Sequence, residues 1–311
     1  MNKTAYIFPG QASQYVGMGQ EFYKKSDRVR QFYRQASDLL GDDLARISFE
    51  GPADKLKQTI FTQPAILIHS LAILEIAGDS LVPPSFAAGH SLGEYGALVC
   101  CGAMNNEDAI TAVCTRAKLM EQACLDNPGT MAAILALNDE MLNEVISEAS
   151  SKGIITAANI NSAIQVAVSG DIPAVEEACR LAKEKGAKRA VMLEVGGAFH
   201  SPLMNSATDG MAKCLDEINI GDALIPVVAN VTAQPVTKAE DIRRLLVEQI
   251  ISPVRWRDTM ACFVEQNVET VVEIGPGKVL SGLAKRDMPG VSLFNIDTFA
   301  DLEVFAKQSV I

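Results

Sequence analysis

The chain opens on a strand-like run, Thr4-Ala5-Tyr6-Ile7-Phe8, that breaks at Pro9-Gly10. Helical periodicity follows through Phe22, Val29, Phe32, Ala36, Leu39 and Leu40. A further helix is expected over residues 63–77, with Ile66, Leu67, Leu71 and Leu74 on one face and Pro64 in its first turn, where a missing N–H does no harm. Ser85-Phe86-Ala87-Ala88 reads as a short buried strand and residues 95–99 as a helix of small and apolar side chains. Asn105 and Asn106 are candidate caps for a long helix through Ala109, Val113, Ala117 and Met120.

Between about residues 126 and 197 the rhythm changes. Strands are expected over 131–137, 154–160, 165–169 and 189–195, with helices over 139–150 and 173–184. That order, βαββαβ, is the ferredoxin-like arrangement. The segment begins at the turn Asp126-Asn127-Pro128-Gly129 and ends at Gly196-Gly197, so residues 126–197 read as a small inserted subdomain. Residues 1–125 and 198–311 then form the large domain. Its later strands, near 225–229, 270–273 and 292–295, alternate with helices, which implies a mostly parallel sheet covered on both faces. No internal repeat or low-complexity segment interrupts the pattern.

Composition adds bounds. The chain has 311 residues, 48% of them hydrophobic, enough for one large core and a smaller one; aromatic residues are only 5%, so Ala, Leu, Ile, Val and Met do most of the packing. A net charge of −11 argues against binding nucleic acid or an anionic membrane. The seven cysteines are an odd number with no C-x-x-C pair, so neither a disulfide framework nor a zinc site is indicated. Met1-Asn2-Lys3 leads directly into the first strand, without a signal peptide. The longest apolar run, residues 64–77, contains His69 and Glu75 and is too short to span a bilayer. A cytoplasmic protein with no membrane association is expected.

Chemistry concentrates at Gly89-His90-Ser91-Leu92-Gly93, which has the G-x-S-x-G form of a nucleophile elbow between a strand and a helix. The fold class expected is thus α/β: a large α/β-hydrolase-like domain with a mostly parallel sheet, plus the small ferredoxin-like subdomain. A serine nucleophile needs a base, and the chain has three histidines. His90 adjoins Ser91 and points away from it at an elbow; His69 lies in an apolar helix and reads as structural. His200, in the loop Gly196-Gly197-Ala198-Phe199-His200-Ser201-Pro202, is the candidate base by elimination. Asp297 and Glu273 both lie near strand ends as possible third members, and nothing local selects either. The N–H of Leu92 is one expected oxyanion donor, and the loop Phe8-Pro9-Gly10-Gln11-Ala12-Ser13-Gln14 is a candidate source of the second. Arg116 lies among apolar residues of its helix. It is read either as the partner of a carboxylate such as Glu121 or as a fork awaiting a substrate carboxylate.

These residues occur in an order that resembles the malonyl-CoA:acyl carrier protein transacylases. The resemblance rests on Phe8-Pro9-Gly10-Gln11, Gly89 through Tyr95, Arg116-Ala117-Lys118-Leu119-Met120, Asn159-Ile160-Asn161-Ser162, Ala198 through Met204 and Glu273 through Leu280, and covers essentially the whole chain. It implies Ser91 as nucleophile and His200 as general base and acid. The main-chain carbonyl of Gln249 would orient the histidine, and the N–H groups of Gln11 and Leu92 would hold the oxyanion. Arg116 would hold the malonyl carboxylate, with Gln63, Met120, Asn161 and Phe199 around the substrate. The implied reaction moves malonyl from malonyl-CoA to the thiol of an acyl carrier protein by a ping-pong route, with no metal or other cofactor. Alternatives are a malonyltransferase acting in trans on a polyketide pathway, a serine esterase or thioesterase, and a non-catalytic carrier-binding module. Ala12 and Ala163 depart from the family, which often has glycine and proline there. Lys185, Lys188 and Arg189, or Lys285 and Arg286, are candidate docking groups for an acidic carrier.

Overall fold

The structure, a computed structural model, describes residues 3–308. Its strands are β1 (Lys3–Phe8), β2 (Phe86–Gly89), β3 (Thr130–Leu135), β4 (Ile155–Ser162), β5 (Gln165–Gly170), β6 (Arg189–Met192), β7 (Val227–Val228), β8 (Pro235–Val236), β9 (Val268–Ile274) and β10 (Ser292–Ile296). They make two sheets. The larger has the order β10-β9-β1-β2-β7-β8 and the smaller β4-β5-β3-β6. Every pairing in the larger sheet is parallel except β7 with β8. The smaller sheet is antiparallel throughout.

β1 shows how the sequence sets the layers. It lies between β9 and β2, and its last four residues are all buried, as a central parallel strand requires. Alternate side chains enter opposite cores. Tyr6 and Phe8 pack with Phe22, Phe32 and Leu71 on one face. Ala5 and Ile7 pack with Trp256, Met260, Phe263 and Leu283 on the other. The small sheet keeps a separate core under its two helices, centred on Ile134, Val145, Val168, Val175 and Ala178. It is tied to the large sheet's side of the molecule by main-chain bonds from Ile160 N–H to the Val254 carbonyl (2.9 Å) and from Val254 N–H to the Ala158 carbonyl (2.8 Å).

Several expected elements differ in detail. The periodic stretch from Phe22 to Leu40 is two helices, Gln20–Lys25 and Asp27–Leu40. Ser26 between them is extended, and its hydroxyl accepts from the Val29 N–H. The helix expected to begin at residue 63 is Thr59–Ala77, so Pro64 lies inside it rather than in the first turn. Nor does it bury one face: every residue from Thr59 to Ile73 except Ile60 is buried, the pattern of a helix packed on all sides. The span Thr59–Ser80 is long and apolar enough to cross a bilayer by length and composition, contrary to the shorter run expected, but 78% of its most apolar 18-residue stretch is buried within the protein itself. Two short helices, Leu44–Glu50 and Ala53–Leu56, were not anticipated. β6 stops at Met192, freeing Leu193 and Val195 to line the cleft between the sheets.

Candidate active site

Ser91 lies between β2 and the helix Gly93–Cys100, at the end of the large sheet where the strands deliver their carboxyl termini. Its φ is +53°, a left-handed conformation that costs a non-glycine residue free energy. The flanking glycines make this turn possible. A Cβ on Gly89 would fall on the Gly93 carbonyl, and one on Gly93 would fall on the Phe8 carbonyl. Strand and helix therefore cross too closely for any side chain. Asn230, two residues beyond the end of β7, fastens the turn. Its Oδ1 accepts from the Ser91 N–H (2.7 Å) and its Nδ2 donates to the Gly89 carbonyl (2.6 Å).

The Ser91 hydroxyl lies 2.9 Å from Nε2 of His200. Nδ1 of the same ring is 2.8 Å from the Gln249 main-chain carbonyl, which can only accept, so Nδ1 carries the proton and Nε2 is free to take one. His200 is itself at φ +56°. The loop is braced by Ser201, whose hydroxyl donates to the Ala198 carbonyl (2.6 Å). Burial and the nearby Arg116 charge push the imidazole down to about 3, so it stays neutral.

Arg116, 1% exposed, completes the cluster. It donates from Nη2 to Ser91 Oγ (3.0 Å) and to Gln249 Oε1 (2.9 Å), and from Nη1 to Gln63 Oε1 (2.6 Å). All three acceptors are neutral, it makes no ion pair among the described residues, and its buried Nε–H has no partner. Of the two readings of Arg116, an ion pair with Glu121 is not formed. Burial lowers its pKa, yet a guanidinium keeps its charge. A buried cation without a counter-ion is costly unless a ligand supplies one.

The Gln11 and Leu92 N–H groups have no acceptor among the described residues. The register Phe8↔Gly89 sets the two loops side by side, and both residues line a cleft of about 380 Å³ between the sheets. The same cleft is lined by Ser91, His200, Arg116, Gln63, Met120, Asn161 and Phe199; Gln249 stands behind this wall. Ala12 is held at φ +80°, which gives a physical reason for glycine at the corresponding family position, and its N–H donates to Gln14 Oε1 (2.8 Å). Ala163 lies in the exposed β4–β5 turn and does not line the cleft. Asn161 Oδ1 accepts from His90 Nε2 (2.9 Å), so His90 carries its proton on Nε2.

Neither candidate carboxylate meets His200. Glu273 accepts from the Leu280 and Ser281 N–H groups at the start of the helix Val279–Asp287. Asp297 pairs with His69 (3.1 Å), the structural histidine, and accepts from Tyr15 (3.0 Å). The position they were candidates for is held by the Gln249 carbonyl. Asn230 and Glu94 were missed. Glu94 is 3% exposed, and its Oε2 accepts from Gln249 Nε2 (2.6 Å) and the Asn230 N–H (3.3 Å). Burial raises its carboxyl to about 7. Among the basic candidates Lys185 is engaged by Glu144 and Glu148, whereas Lys188, Arg189, Lys285 and Arg286 are exposed and form no ion pair among the described residues, with Arg286 at the cleft. The cysteines are all free, and no cluster of metal-binding side chains occurs among the described residues.

Known proteins resemble this chain over nearly its whole length. An acyl transferase domain model matches residues 5–289. A malonyl CoA-acyl carrier protein transacylase of Bacillus subtilis is 44% identical over 287 residues, covering 92% of this chain and 90% of the relative. Among solved structures, an acyl carrier protein S-malonyltransferase from Vibrio cholerae superposes with a TM-score of 0.91 at 40% identity, covering 97% of this chain and 99% of that one. A malonyl-transacylase solved in complex with its type II PKS acyl-carrier protein gives 0.92 at 39% identity, covering 98% and 99%. The chain belongs to the acyl transferase family, within the malonyl CoA-acyl carrier protein transacylases.

Proposed function

We propose that this protein transfers malonyl from malonyl-CoA to the phosphopantetheine thiol of an acyl carrier protein, through an ester on Ser91, to supply fatty acid synthesis. The observation that carries this reading is Arg116: a buried guanidinium with no counter-ion among the described residues, with an unpartnered N–H and 3.0 Å from the nucleophile. An acyl group bearing a carboxylate completes that site, and a neutral one leaves the charge unpaired.

Ser91 Oγ attacks the thioester carbon while its proton passes to His200 Nε2. The Gln11 and Leu92 N–H groups receive the developing oxyanion. Collapse expels the CoA thiolate, which takes the proton back from His200. The carrier thiol then gives its proton to His200 as its sulfur attacks the ester, and Ser91 leaves with that proton. This is a double displacement in which Gln249 orients the imidazole through its carbonyl, and Gln63, Met120, Asn161 and Phe199 shape the cleft. The chemistry asks for no metal or other cofactor. Two domains support it, an α/β-hydrolase-like body of residues 1–125 and 198–311 and a ferredoxin-like subdomain of residues 126–197, the sheet order β4-β5-β3-β6 being consistent with the latter.

The family relationship and the net charge of −11 are what support reading it as a soluble, cytoplasmic enzyme that engages neither membrane nor nucleic acid. The solved complex with a type II PKS carrier favours one second reading, a polyketide carrier as acceptor. The reading is tested by intact-mass analysis after mixing the protein with malonyl-, methylmalonyl- and acetyl-CoA. A single malonyl on the Ser91 peptide, absent in Ser91→Ala and discharged by a fatty acid carrier, is expected. Malonyl transfer by Ser91→Ala would refute it.

A further inference from the structure

The site holds one buried cation and one buried carboxylate, Arg116 and Glu94, and they do not touch. Gln249 stands between them. Its Oε1 accepts from Arg116 (2.9 Å), and its Nε2 donates to Glu94 (2.6 Å) and to the Ser91 carbonyl (3.0 Å). The residue is fully buried, so its amide cannot exchange these partners for water. We propose that the Gln249 side chain is a specificity-determining spacer, which keeps Arg116 from pairing with Glu94 and so leaves the guanidinium free for a substrate carboxylate.

The role is separate from that of the main-chain carbonyl, which serves His200 whatever the side chain is. Three features make the spacer work. An amide offers an acceptor to one neighbour and donors to the other, so it satisfies cation and anion together without carrying charge. Ser91's carbonyl and Glu94 both accept from Nε2, which fixes which end of the amide meets Arg116. Glu94 is in turn anchored by the Asn230 N–H, so the carboxylate stays at the rear of the site. Selectivity for a charged acyl group thus depends on the order of the two groups: amide toward Arg116, carboxylate behind.

Transposing that order is the test, and it rests on the reading that Arg116 receives the acyl carboxylate. The double variant Glu94→Gln, Gln249→Glu puts a carboxylate against Arg116 and an amide behind it. Loading rates of malonyl-CoA and acetyl-CoA are measured on the same enzyme. The malonyl-to-acetyl ratio, in which any common effect of the change on His200 cancels, should fall by about 100-fold or more, the loss of a paired charge contact. Gln249→Met, which adds no buried charge, is the second arm and should lower the ratio about tenfold. It carries the test alone if the double variant does not fold. A ratio unchanged from the natural enzyme, or malonyl and acetyl rates falling by one common factor, overturns the proposal. Arg116→Ala distinguishes the two failures. If it too leaves the ratio unchanged, the reading of Arg116 is wrong; if it collapses the ratio while the residue 249 variants do not, only the spacer is wrong.

Discussion

Arg116→Ala is the perturbation that bears most directly on substrate choice. In the acyl-free enzyme the guanidinium has three neutral acceptors and an idle Nε–H, so its donors are available to a carboxylate at little rearrangement. Each charge-assisted hydrogen bond contributes about 1.5–3 kcal/mol, and a forked pair about 3–6 kcal/mol, or roughly 10²–10⁴ in rate. Removing the side chain also obliges the malonyl carboxylate to enter a buried site unpaired, which adds to the loss. A neutral acetyl group meets neither penalty. The acceptors left on Gln63 and Ser91 border a cleft of about 380 Å³ and can be hydrated, and that of Gln249, behind the cleft wall, faces the space the guanidinium vacates. Malonyl loading should therefore fall by at least about 10² with acetyl loading far less affected. The assay is a competition between malonyl-CoA and acetyl-CoA, read as the two acyl-enzyme masses over time. A ratio of kcat/KM values within about threefold of the natural enzyme would refute a carboxylate-binding role, because uniform loss means a merely structural defect.

Asn230→Ala removes the clasp on the elbow and strands the Ser91 N–H and the Gly89 carbonyl in a buried place. It should cost about 2–4 kcal/mol of unfolding free energy and slow malonyl and acetyl loading alike, as checked by denaturant titration and the same competition assay; a changed acyl ratio would contradict it. His200, held down to about 3, lies below the ordinary imidazole value of 6.5, so on acidification the unfolded chain binds that proton first. The stability contributed by the neutral ring is complete above pH 6.5 and is lost between 6.5 and about 3, by up to about 1.4 kcal/mol per pH unit. His200→Gln should flatten the unfolding free energy over that window, and parallel curves would exclude a depressed His200. Glu94, raised to about 7, acts oppositely between its ordinary 4.5 and 7, and it cancels in the comparison because both proteins keep it.

The elbow was legible because its requirement is steric: only glycine fits at positions 89 and 93, so the serine between them is marked by its neighbours. His200 was legible by scarcity, one histidine of three with a suitable loop. The third member was not, since a main-chain carbonyl is common to every residue and leaves no side-chain signature at 249. Asn230 was missed for a related reason. Its amide acts on the backbone of residues 89 and 91 from a strand end far away in sequence, and an Asn in such a place reads as an ordinary turn former. The small sheet was read strand by strand because its alternation is local. Pro64 misled because burial on all sides extends the helix past the proline, outweighing one lost hydrogen bond near its start.

Selectivity and reactivity meet at His200. Of the causes that depress its pKa, burial is the largest and the Arg116 charge the second. Burial persists through the reaction, but a malonyl carboxylate on Arg116 would cancel much of the second cause. The correct acyl group would then strengthen the base that activates Ser91, and acetyl would leave it weak. The consequence is measurable in Ser91→Ala, which holds malonyl-CoA without reacting. The imidazole of His200, followed by nitrogen NMR across an acid titration, should titrate at higher pH with malonyl-CoA bound than with acetyl-CoA bound, and below 6.5 in both. Equal titration in the two complexes would mean that Arg116 selects the substrate without tuning the base. A higher value with malonyl-CoA would tie choice of substrate to rate through one buried charge.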